Sequence, residues 1–168
     1  MIGTMTQEKR DCLVEHCKES AVSGMEQFLH VFSFVPEDRL HWTPTPTSKT
    51  PMQVATHTAV TAGNFAKMIR ERQLPTGDEI PAMIARLVAE ESLLTTPAEM
   101  EKEFRANTEK VLAALDTLTP DAIELVFDTS VGWLMPMKRL MFLPGVHAVA
   151  HTYQIDYLQT CWGDQVIH

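Results

Sequence analysis

Three of the chain's threonine–proline pairs open a segment and limit what the chain can fold into: Thr50-Pro51, Thr96-Pro97 and Thr119-Pro120. A threonine hydroxyl at a helix N-cap accepts one of the backbone N–H groups that the first turn leaves without a partner. Proline at the next position sacrifices nothing there, because its missing N–H had no acceptor. Gln53 and Glu99 stand three residues beyond the first two threonines, where a side chain can reach back and complete a capping box. The pattern predicts helices starting at about 51 and 97. The signal at 120 is weaker, because Val126 and Phe127, followed by Ser130 and Gly132, read as extended or irregular.

Hydrophobic spacing supplies the remaining elements. A first helix is expected over about 6 to 34, carrying Leu13, Cys17, Met25, Phe28, Leu29 and Phe32 until Pro36 stops it. The proline-rich stretch 36–48 is long enough to cross the end of a bundle. The second helix, 51 to 72, turns Val54, His57, Thr61, Phe65, Met68 and Arg72 inward. Residues 78–91 read as a short connecting helix and 97–118 as another amphipathic one. The last long helix is expected from near Pro136 to near Trp162, with Pro144 either kinking it or marking a late start. The expected class is all-α.

With 168 residues, 45% of them hydrophobic, the chain suits one compact domain spanning 1–168. A formal net charge of -8 and the lack of a basic stripe disfavour nucleic-acid and anionic-membrane partners. No stretch reaches the roughly 20 apolar residues needed to cross a bilayer, and the first residues lack the apolar core of a signal peptide. A cytoplasmic location is expected. Three cysteines form no disulfide framework, and Cys161 beside Trp162 reads as a small packing residue. Trp133 and Trp162 read as packing residues near the bundle ends, with Trp42 as a plug between the first connection and the core.

The chemistry sits in the histidines. His147 and His151, four apart in an apolar stretch, fall on one face of a helix and can converge on a single ion. His57, on the packing face of the second helix, is the candidate third ligand. Thr61 and Asn64 lie one and two turns further on and could line a small polar cavity. Gln154 lies about 20° from His147 around the helix, within reach of bound solvent or of a ligand ring. His16 and His30 have no partner at metal spacing along the chain, and His41, single in the first connection, is weak evidence for a site. Three neutral imidazoles suit zinc, nickel, copper or iron and leave at least one position open for water or substrate. Position 148 is alanine, so a glutamate base of the HExxH type is absent.

In order along the chain, Trp42-Thr43-Pro44, Ser48, His57, then His147, His151 and Gln154 resemble the DinB-like metal-binding helical bundles. The resemblance implies a four-helix bundle with long crossover connections and a short extra helix between helices two and three. It implies that His57, His147 and His151 hold one divalent ion, typically nickel, zinc or iron, and that a homodimer forms. Tyr153 stands where the family commonly has glycine, and Pro144-Gly145 interrupts a helix that is usually continuous. Relatives include transferases that join a low-molecular-weight thiol, such as bacillithiol, mycothiol or glutathione, to an electrophile, and isomerases that use the thiol as cofactor. The leading expectation is therefore a metal-dependent transferase acting on a small-molecule thiol and an electrophile. The alternatives are a metal-binding stress-response protein without turnover and a metal-free helical interaction module.

Overall fold

The computed structural model describes residues 5–129 and 132–168, so the expectation of irregular backbone at Ser130 lies outside it. Helix α1 spans Gln7–Phe32, α2 Pro51–Glu71, α3 Ile80–Glu91 and α4 Pro97–Asp116. A short α5 (Pro120–Ile123) leads into strands β1 (Val126–Asp128) and β2 (Leu134–Pro136), then α6 (Met137–Leu140) and α7 (Leu143–Cys161). The fold is all-α, with one small antiparallel hairpin that pairs Phe127 with Met135.

The threonine caps form as the sequence predicts. Thr50 Oγ1 accepts from Gln53 N at 3.2 Å while Gln53 Oε1 accepts from Thr50 N at 2.9 Å. Thr96 and Glu99 repeat the reciprocal pair at 3.2 and 3.1 Å. Each such cap contributes about 1 kcal/mol. Thr119 also caps its helix, but that helix stops after four residues because the β-branched and aromatic run behind it pairs with β2.

The principal packing partners of α1 are α7 and α4, and those of α2 are α4 and α7. Consecutive α1 and α2 are therefore diagonal, and the segment between them crosses one end of the bundle through a 3-10 turn at Glu37–Arg39. Along that crossover Trp42 meets Trp162 edge-on at 5.6 Å, and Met52 N donates to Leu40 O. From α4 to α7 the chain crosses in the same way, through α5, the hairpin and α6. Helix α3 packs on the outer side of α2, with Leu87 its one buried residue. Apolar side chains fill the bundle in two clusters, one around Val14, Ile69, Leu115 and Leu140, the other around Phe28, Phe104 and Ile155.

Four expectations need correction. The last long helix does not begin near Pro136: that residue ends β2, α6 is a separate turn, and α7 starts at Leu143 with Pro144 in its first turn, where proline costs no hydrogen bond. Arg72 does not face inward. It is the left-handed C-cap of α2 (φ 54°), and its guanidinium donates to Thr117 O at 3.0 Å. Cys161 is exposed at the end of α7. Trp133 is also exposed, at the hairpin, with the Arg139 guanidinium 5.9 Å from its ring centre.

Gly24 of α1 and Gly145 of α7 set how closely these two helices approach. A Cβ on Gly24 would lie 2.8 Å from the Gly145 carbonyl oxygen, and one on Gly145 would lie 2.6 Å from the Ser20 carbonyl oxygen. Alanine at 145 gains up to ~1 kcal/mol of helix propensity. It also collides with backbone that cannot rotate away, at a cost of roughly 1 to 3 kcal/mol. Gly145→Ala is therefore expected to be destabilising in urea denaturation; an unchanged or higher midpoint would mean that the two helices are not held this close.

Candidate metal centre

His57 lies in the second turn of α2, which the Thr50 capping box starts at a defined residue. Thr61 and Phe65 follow at i+4 and i+8 on the same face. From α7, His147 and His151 present their rings to that face. Ring centres are 5.3 Å apart for His57 and His147, 5.1 Å for His57 and His151, and 4.4 Å for His147 and His151. One nitrogen from each ring lies within 4.8 Å of the other two, and all three residues are half-buried. The structure thus brings together the three histidines that the sequence singles out, across helices far apart in the chain.

Hydrogen bonds orient two of the rings. His151 Nδ1 lies 2.8 Å from Gln154 Oε1, and His57 Nδ1 lies 2.8 Å from Glu91 Oε1. Both acceptors are oxygens, so each Nδ1 carries the proton and each Nε2 keeps its lone pair. The His151 Nε2 and His147 Nε2 atoms face each other at 3.1 Å. Two nitrogens bound to one ion at roughly 2.0–2.1 Å stand about 3 to 3.4 Å apart, so this spacing already suits a shared cation. The edge of Phe65 closes the other side of His147 at 5.4 Å.

The donor set fits a divalent ion on chemical grounds as well. Three imidazoles meet with too few inward protons to satisfy their facing lone pairs, and a cation supplies what is missing. Thr61 is buried with its hydroxyl lacking any hydrogen-bond partner among the described residues, on the α2 face between His57 and Phe65. Asn64, the other residue expected near the site, turns to α3 instead: its side-chain oxygen accepts from Arg86 Nη2 at 3.0 Å.

Glu91 is the participant that the sequence reading missed. It ends α3, thirty-four residues from its partner along the chain. The available signal was weak: Glu90 and Glu91 close a helix at its carboxyl end, where the macrodipole disfavours acids, which hints at a partner elsewhere in the fold.

Burial, followed by the nearby His151, His57 and Lys49, pushes His147 down from 6.5 to about 3. His151 is lowered as well, by burial above all, against the opposing bond to Gln154 and with help from His57 and Lys49. Both rings are neutral at pH 7, the form that ligates metal. The unfolded chain binds these protons near pH 6.5 and the folded chain only at lower pH, so the metal-free protein loses stability as pH falls from about 6.5 toward 3. Urea midpoints recorded from neutral pH downward should drop for the native chain and drop less for His147→Gln. Parallel curves would contradict a buried, neutral His147.

Against known proteins, the structure matches the crystal structure of the DinB-like protein YjoA from Bacillus subtilis with a TM-score of 0.62 and 16% identity, covering 91% of this chain and 96% of that one. At that identity the likeness speaks for the fold. No curated protein matches the sequence significantly. The family model described as the DinB superfamily matches residues 23–155, a span that holds His57, Glu91, His147, His151 and Gln154. The chain belongs to the DinB superfamily.

Proposed function

We propose that the protein binds one divalent ion, nickel, zinc or iron, through His57, His147 and His151, and uses the open side of that ion to activate a low-molecular-weight thiol for transfer to an electrophile. The observation that carries the reading is the convergence of three nitrogens within 4.8 Å, two of the rings being oriented from behind by Glu91 and Gln154. Three neutral ligands leave the ion's charge uncompensated, so it would lower the pKa of a thiol or water held on its open side.

The chain's own groups do the rest. Glu91 accepts a hydrogen bond from His57 Nδ1–H and Gln154 accepts one from His151 Nδ1–H, which keeps both Nε2 lone pairs aimed inward. Phe65 shields one side of His147 from water. Thr61 offers a hydroxyl, already desolvated, that could orient a bound ligand atom. Among the described residues, no acid or base beyond these stands against the imidazoles in the manner of a nucleophile–base pair, so proton removal would fall to the ion's effect on the thiol.

The alternative is a metal-holding protein without turnover. Turnover separates the readings. Metal-loaded protein incubated with bacillithiol, mycothiol or glutathione and a reactive haloarene or epoxide should form the thioether, and His151→Ala should not. Equal rates for the two proteins would sink the transferase reading while leaving the metal site standing.

The site itself has its own tests. Protein purified without chelator should carry close to one metal per chain by elemental analysis, and His147→Ala should lose it; a metal-free native chain would favour the interaction-module alternative. Glu91→Gln should keep the fold and weaken metal affinity by about 10- to 100-fold in a competition titration. An unchanged affinity would mean that the Glu91 contact plays no part in ligation.

A further inference from the structure

We infer that the seam between α2 and α3 holds a second ligand site, separate from the histidines, built for a small organic carboxylate. A cavity of about 270 Å³ opens there, with Asn64, Lys67 and Glu71 of α2 on one wall and Glu79, Met83 and Arg86 on the other. Its volume lies just under the range of roughly 300–1,000 Å³ that takes drug-sized ligands, so a small molecule is the appropriate occupant.

The polar groups decide the class of ligand. Asn64 is 7% exposed, and among the described residues its amide nitrogen has as its one acceptor the thioether of Met83, at 3.6 Å. Sulfur accepts weakly, so this buried donor still lacks an adequate partner. Arg86 holds the Asn64 oxygen at 3.0 Å and Glu90 at 2.9 Å, which commits two of its donors and fixes the guanidinium at the cavity wall. Its fork has further N–H groups to offer. Lys67 makes no direct hydrogen bond among the described residues, but its charge acts on Glu79.

Two acids share these walls. Glu79 accepts from the Thr76 backbone N–H at 2.8 Å and from its hydroxyl at 3.1 Å, bonds that, with the Lys67 charge, hold its carboxyl below the usual range. Glu71 lies 3.8 Å from Arg70, both of them exposed. What the wall offers a ligand is the Asn64 amide and the Arg86 fork, with the Lys67 ammonium shared with Glu79. A carboxylate accepts from all three, and the first turn of α3 adds the positive end of a helix to the same rim. The amide, buried and short of an acceptor, separates this seam from an ordinary solvated cluster of charges.

Binding can be tested on the full chain stripped of metal, so the outcome does not depend on the histidine site. The probe is succinate, followed by calorimetric titration, with butane-1,4-diol and 1,4-diaminobutane as its neutral and cationic counterparts. Succinate should bind, and neither counterpart should. Lys67→Met, at an exposed position where folding is not at risk, and Arg86→Met should each weaken succinate by about tenfold. Absence of succinate binding at millimolar concentration, equal binding of the diol, preference for the diamine, or an affinity unchanged in both variants would overturn the assignment.

Discussion

Three imidazoles that turn lone pairs toward one another, with too few protons between them, create the constraint on which the site depends. His57 and His151 spend their Nδ1 protons outward, on Glu91 and Gln154, and the His147 and His151 Nε2 atoms meet at 3.1 Å. Charging His147 or His151 would place a cation in a half-buried cluster, and the depression of both reflects that cost. A divalent ion would meet that shortage, because one ion accepts from all three rings at once. The cluster is therefore one that could hold a metal ion.

The fold serves that arrangement through three local devices. The Thr50 capping box starts α2 at a defined residue, so the rotational setting of His57 seven residues on follows from the cap. Pro144 allows α7 to begin late, and Gly145 lets it lie against α1 at backbone distance, which fixes the depth at which His147 and His151 enter the bundle. Helix α3, otherwise a largely exposed excursion between α2 and α4, ends with Glu91 against His57. An element with so little apolar burial of its own gains a structural reason from the hydrogen bond it delivers.

Much of this was legible in the sequence, and for physical reasons. Helix starts are local: a threonine, a proline and an acid or amide three residues on determine them, and the starts at 51 and 97 stand where that chemistry puts them. The His147/His151 pair is also local, since four residues make about one turn. The late start of α7 was one of two options, because proline in a first turn and proline in a kink look alike until the preceding hairpin is known. Arg72 was misread because periodicity does not announce the left-handed residue that ends a helix. Glu91 left only the weak sign of an acid at a helix C-terminus, and the α2–α3 seam left none. Both depend on how a connecting helix is hung on α2, and that packing leaves no periodic trace.

The account rests on the ligand set, and X-ray absorption at the edge of the bound metal tests it most directly. The metal-loaded protein should show three imidazole nitrogens at about 2.0–2.1 Å with lighter atoms completing the shell, and one sulfur should enter when a low-molecular-weight thiol is added. A shell dominated by cysteine sulfur before thiol is added, or one with fewer than three imidazoles, would contradict it.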